Sequence, residues 1–290
     1  EGQNTLEISP VERQFRSATY EIELREMDPS DLLEVAATES FGFGLDQHYR
    51  AYSNTGGNTV AARQHLTNAF AWWGSSVDRN GEAIAAFELA VLEKNDGNLS
   101  RATDLLLRAS EIWASQGDQR EALALNLLGL TEWQRGNLRQ ASDYFSKALI
   151  LRENLGWVDR IAQVHNNLGL ISIDMGNFRA AIISFESAIR LFLNAQLPID
   201  EQRESYKVNW VTSPAALSKI GELPLNYVLP TINNLALAYD AIGDSHSAAI
   251  LWHFYLRRSP DVSDSNALAM AHQNLGNNYF HRGNFDLALQ

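Results

Sequence analysis

The sequence predicts an all-α fold: a right-handed superhelix of helical hairpins stacked in a row, five complete and a sixth truncated, preceded by a short extended segment. Three observations carry this. Apolar residues recur at helical spacing in one segment after another. A glycine, usually followed by asparagine, separates the segments at Gly57, Gly97, Gly136, Gly176, Gly243 and Gly283. Equivalent residues stand 39 or 40 apart, as in Leu128 and Leu168 or Leu235 and Leu275.

Residues 1–38 stand outside the repeat. Tyr20-Glu21-Ile22-Glu23-Leu24 alternates apolar and charged residues and reads as a half-exposed strand. Asp28-Pro29-Ser30-Asp31 reads as a turn and helix start, followed by Leu32, Leu33 and Val35. The repeat array is expected over 39–290. Its first copy, 39–78, is the weakest. The second helix keeps register through Ala62, Leu66 and Ala69, but Tyr49-Arg50 stands where a Leu-Gly pair is expected. Trp72 and Trp73 are placed to cover that end, since terminal repeats are often atypical.

Repeats two, three and four occupy about 79–118, 119–158 and 159–195. The fourth shows the pattern most fully. Ile161, Val164, Leu168, Ile171 and Met175 form one helical stripe, and Gly169 inside it implies close approach by a neighbour, because a mid-helix glycine costs about 1 kcal/mol against alanine. Gly176-Asn177 ends the helix, since glycine takes the left-handed cap conformation freely. Phe178, Ala181, Phe185, Ala188 and Leu191 then alternate large and small residues along a second helix. Leu168→Ala is expected to cost about 2–5 kcal/mol, and a large residue at Gly169 about 1–3 kcal/mol.

An insertion of about 27 residues, within 196–224, delays repeat five to near Leu225. Within it, Asp200 to Val211 is compatible with a short helix, and Ser213-Pro214 with an N-cap and first helical position. The insertion is either a tolerated surface excursion or, given Tyr206 and Trp210, a functional element. If it folds into the groove of the array and blocks it, deletion should raise partner affinity. Repeat six stops part-way through its second helix at Gln290, and the sequence reads as a segment of a longer protein.

The order Leu-Gly, Gly-Asn turn, alanine, aromatic, alanine resembles the tetratricopeptide repeat over about 250 of the 290 residues. The period exceeds that family's usual length of about 34, which implies longer helices, as in the subfamily resembling kinesin light chains. The strand, the helix start and the 40-residue repeats together also resemble bacterial proteins in which such repeats precede a caspase-like CHAT peptidase domain.

Composition narrows the function. Charged residues make up 20% and the hydrophobic set 45%, ordinary for a soluble globular chain. The net charge of -12 argues against nucleic acid, whose binding rests on cationic contacts to phosphate. No run approaches the roughly 18 apolar residues that span a membrane. With no cysteine, disulfides and thiolate chemistry are excluded within the chain.

No catalytic or metal constellation emerges, and no cofactor is expected. The seven histidines lack zinc-helix spacing, His165 and His272 occupy equivalent packing positions, and Gly42-Phe43-Gly44 is too short for a phosphate loop. The chain reads as non-catalytic.

A surface is the better candidate. In stacked hairpins the first helices line the inner wall, and residues at i, i+3 and i+7 share a face. Counting from the residue before each leucine, repeat four presents Asn167, Leu170 and Asp174, and repeat five presents Asn234, Leu237 and Ala241. Repeat six presents Asn274, Asn277 and His281; repeat three presents Leu127, Leu130 and Gln134, with Asn126 beside them. An asparagine ladder results, whose amides offer donors and acceptors to the backbone of a bound peptide. The alternative is that these amides bond neighbouring helices. The resemblance to kinesin light chains implies a grip on partner backbone. The family's carboxylate clamp is not matched, because these positions hold no Lys or Arg.

The expected function is therefore a module that holds a protein or peptide segment in its concave groove. A substrate-docking arm of a CHAT peptidase and a receptor for a signalling peptide are the alternatives.

Overall fold

The structure, a computed structural model, describes residues 29–53, 56–194, 210–223, 225–258 and 265–288. Among them are thirteen α-helices and no strand. The expected strand at Tyr20 lies outside the described residues, as does most of the short helix expected from Asp200; its end, Trp210–Thr212, forms one 3-10 turn.

Six helical pairs follow in order. These are α1 (Pro29–Tyr52) with α2 (Thr59–Ser75), α3 (Arg79–Asn95) with α4 (Leu99–Gln116), and α5 (Glu121–Gln134) with α6 (Leu138–Leu155). Then come α7 (Val158–Asp174) with α8 (Phe178–Asn194), α10 (Leu225–Ala241) with α11 (Ser245–Arg258), and α12 (Ser265–His281) with the single turn α13 (Phe285–Ala288). The short α9 (Pro214–Ile220) lies in the insertion. Each helix of the six pairs packs on the next in the array, with α8 packing directly on α10 across the insertion. The result is an all-α helical repeat solenoid.

Close approach within a pair is set by glycine. A Cβ added to Gly169 would lie 2.4 Å from the Phe185 ring, and one added to Gly129 would lie 2.6 Å from that of Phe145. Both rings are fully buried. Leu168, by contrast, is only half-buried, so its truncation leaves a smaller cavity than its place in the repeat implies; Phe185 is the side chain the packing turns on.

The first pair uses a different register. Its close-approach glycine is Gly44, where a Cβ would lie 3.0 Å from Leu66, and not the expected position beside Tyr49. Helix α1 therefore runs past the crossing point, and the turn needs two glycines: Gly56 takes φ +87, and any side chain on Gly57 would strike the backbone of Gln47 and Ala51. Helix α1 also continues through residue 38, with Ala37 buried against Ala69, Trp73 and Ala85. Trp73 is buried at that end, with Phe41 edge-on to it at 5.4 Å.

Buried carboxylates tie successive pairs together. Glu132, near the end of α5, accepts from Thr103 Oγ1 on α4 (2.8 Å), Arg135 Nη1 (2.8 Å) and Asn137 Nδ2 in the following turn (2.6 Å). Glu93 is held likewise by Arg63 of α2 and by Asn98. The asparagine of the Gly-Asn turn thus holds the same carboxylate that the preceding hairpin bonds. Burial pushes the Glu132 carboxyl up, but the bonds from Asn137, Thr103 and Arg135 outweigh it and leave the group below the usual range.

The described part of the insertion packs against the second helices of its flanking pairs. Val211, Ala216, Ile220 and Leu223 are buried in a cluster with Ile189 and Leu193 of α8 and Leu251, Trp252 and Tyr255 of α11. The Ser213 hydroxyl accepts from Ala216 N at 3.2 Å, with Pro214 at the first helical position, which starts α9 as the sequence predicts.

Among the described residues, one buried charge lacks a partner of opposite sign. Arg152 of α6 is 1% exposed; its Nη1 donates to Arg160 O at 2.8 Å while its Nε has no partner. Burial and the nearby Arg160 lower its pKa to about 10.

Three measurements follow from this packing. Phe185→Ala should lose about 3–5 kcal/mol in denaturant melts. Because Glu132 titrates lower in the folded state than unfolded, its contribution is present above pH 4.5 and is lost as pH falls through the folded value. The stability gap between the natural protein and Glu132→Gln should therefore narrow on acidification. Arg152→Met, which removes an unpaired buried cation and keeps the apolar stem, should raise stability by about 1–3 kcal/mol.

Candidate binding groove

The pairs present two unlike faces. Between their first and last turns, α3, α5 and α7 have no exposed residue, whereas α4 and α6 carry several and α8 carries Ile183. The first helices of the pairs thus form an inner row and the second helices an outer one. Between those turns the partly exposed positions fall at 84, 87, 88 and 91 of α3 and at 123, 126, 127 and 130 of α5, an i, i+3, i+4, i+7 stripe in each case. Helix α7 has the same stripe at 163, 166, 167 and 170, widened by the half-buried His165 and Leu168. Helix α10 continues it with Asn233, Asn234 and Leu237, and α12 with Asn274 and Asn277.

All eleven residues singled out from the sequence lie on this stripe or at its ends, but in different states. Asn167, Asn234 and Asn274 are half-buried, and their amides make no hydrogen bond among the described residues. Their sequence neighbours are engaged instead. Asn166 accepts from Thr231 Oγ1 at 3.1 Å, linking α7 to α10, and Asn233 accepts from Trp252 Nε1 at 3.2 Å. The fully buried Asn278 donates to Asp240 at 2.6 Å and to Ser245 O at 3.2 Å. Asn126 Oδ1 is buried without a partner.

Leu130, Leu170 and Leu237 pack on the core from the groove side. Gln134, Asn277 and His281 are exposed. Asp174 is not a free carboxylate: it accepts from Trp133 Nε1 at 2.6 Å, joining the ends of α5 and α7. His272, expected to pack like His165, is exposed, because no described helix covers that side of α12.

Two groove residues escaped the sequence reading. Glu88 occupies in α3 the position that Asn167 holds in α7, and burial raises its carboxyl above the usual range. Tyr49 of α1 lies near enough that the Glu88 charge, with burial, raises its phenol. The residue before Leu89 was the available signal, since the ladder rule applies there with Glu in place of Asn. Behind the wall, the Tyr239 hydroxyl donates to Glu186 Oε1 at 2.7 Å, and Arg190 holds the same carboxylate at 2.6 Å. Burial, then Glu186, push the Tyr239 phenol far up, so it remains a donor and fastens α10 to α8.

Among the described residues no three His, Asp or Glu side chains gather as a metal site, and no helix is long and apolar enough to cross a membrane.

Comparison with known proteins agrees with this architecture. A family model described as tetratricopeptide repeat matches residues 82–154 and 120–194. Superkiller protein 3 of Schizosaccharomyces pombe is 26% identical over 133 residues, which is 45% of this chain and 9% of that relative's length. Among solved structures, BtubC (BKLC) from P. vanneervenii is similar over 88% of this chain and 86% of its own, with 18% identity and a TM-score of 0.55. PilF of Pseudomonas aeruginosa is similar over 89% of each chain, at 19% identity and a TM-score of 0.56. Nearly identical TPR-like repeats of kinesin-light-chain type from Podosopora anserina are similar over 82% of this chain and all of theirs, at 13% identity and 0.56. At these identities the structural likeness speaks to the fold. Glycine-spaced hairpins, their two-row stacking and the family match on the central repeats lead to one conclusion: residues 82–194 carry tetratricopeptide repeats within an all-α helical repeat solenoid.

Proposed function

We propose that this protein is a non-catalytic interaction module that holds a peptide or protein segment along its inner wall, with Asn167, Asn234 and Asn274 gripping the partner's backbone. One observation carries the reading. Beside Asn167 and Asn234, the asparagines one place away are consumed by bonds inside the chain, while the amides of Asn167, Asn234 and Asn274 have none among the described residues. A half-buried amide without a partner favours a ligand that supplies both a carbonyl and an N–H. Leu130, Leu170 and Leu237 give the apolar floor between the rungs, and Asn277, Gln134 and His281 supply further polar contacts at its margins. Asp174, bonded to Trp133, serves as a brace for the wall.

The described part of the insertion, residues 210–223, packs on the outer row and leaves this reading of the inner wall unchanged. A docking arm for a CHAT peptidase, or a receptor for a signalling peptide, would use the same wall. The Tyr20 to Glu26 stretch that supports the peptidase resemblance lies outside the described residues.

The test is affinity capture from the source cell with the natural chain and with Asn167→Ala, Asn234→Ala, Asn274→Ala combined. The expected outcome is a partner lost from the triple variant while its melting temperature stays within about 2 °C, because the removed amides support nothing inside the fold. An unchanged partner set removes the ladder from the binding site, and a large melting drop returns the asparagines to a structural role.

A further inference from the structure

The outer face holds a second cavity, made where the insertion meets the array. Helix α9 lies beside α11, and Arg258 Nη2 donates to Gly221 O at 2.8 Å, pinning the end of one to the end of the other. Between them opens a cleft of about 570 Å³. Its wall on α11 is the stripe Ile250, His253, Phe254 and Arg257, and its wall on α9 includes Leu217 and Ser218. Ile250, Phe254 and Leu217 are only half-buried, so they offer apolar surface to an occupant. A cleft of this size, mostly apolar with a few polar groups, has the make-up of a small-molecule site.

The polar groups decide the chemistry. His253 is bonded to Tyr279 Oη at 2.5 Å, and burial together with Arg257 holds it below the usual histidine range, so it is neutral near pH 7. Arg257 is exposed at the mouth, and no carboxylate pairs with it among the described residues. In a chain of net charge -12, an apolar cleft closed at one end by an unpaired guanidinium selects an anion with an apolar body. We propose that the cleft between α9 and α11 binds a monocarboxylate with an apolar chain, the chain lying along Leu217, Ile250 and Phe254 and the carboxylate meeting Arg257. The site is separate from the asparagine ladder and depends on the insertion, which supplies one whole wall.

The experiment is calorimetric titration of the full chain with decanoate below its micellar concentration, beside 1-decanol, Arg257→Gln and Ser218→Trp. The expected result is saturable one-to-one binding of decanoate that Arg257→Gln weakens about tenfold or more. Ser218→Trp, whose indole fills the cleft, should abolish it, and 1-decanol should bind no better than decanoate does to Arg257→Gln. Both variants alter exposed side chains, and a melting curve for each checks the fold. Absence of saturable heat with the natural chain overturns the proposal. So does decanoate binding that Arg257→Gln leaves unchanged, which alone decides the matter if Ser218→Trp fails to fold.

Discussion

Everything in this molecule depends on how closely two helices of one pair can approach. The rings of Phe145 and Phe185 lie where the Cβ atoms of residues 129 and 169 would be, so glycine there is a steric requirement. Once the ring is seated over bare backbone, the alanines at 141, 148, 181 and 188 reach full burial. Where Ala236 replaces glycine in the fifth pair, Trp252 replaces phenylalanine, and its indole N–H finds Asn233. The larger ring meets a backbone it can approach less closely, and a polar anchor compensates.

The second constraint is the link between pairs. A solenoid has no single centre, so each interface must be stable on its own. Glu93 and Glu132 do this with the same device: a carboxylate near the end of an inner helix receives a group from the preceding outer helix and the amide of its own turn. Position 172 in α7 is serine, and past the insertion the corresponding link passes to Tyr239 and Glu186. The array therefore changes its interface chemistry where the insertion interrupts its spacing.

The repeat itself was plain in the sequence because its signals are local. Gly97, Gly136, Gly176, Gly243 and Gly283 all adopt positive φ at their turns, a property of one residue that a fixed spacing reveals. The first pair was misread because its register depends on Gly44 meeting Leu66, a contact between helices that no spacing within α1 announces. The same limit applied to the groove. The stripe follows from helical periodicity, so Asn167, Asn234 and Asn274 were found. The bonds that engage Asp174 and Asn166 come from Trp133 and Thr231, 41 and 65 residues away in the chain. No local pattern separates an amide already bonded from its unbonded neighbour. The insertion's seat was likewise hidden, since Val211, Ala216 and Ile220 reveal their partners only once α8 and α11 are in place.

That seat has a consequence for how the protein can change over evolutionary time. The described insertion lies on the outer row and the amide ladder on the inner one, so drift in the first leaves the second untouched. A lineage can lengthen, shorten or re-equip residues 210–223 while keeping the inner wall, provided that the buried apolar side chains facing α8 and α11 are retained. Two sides of one helical array are thereby exposed to separate selection, and a change on one need not disturb the packing of the other.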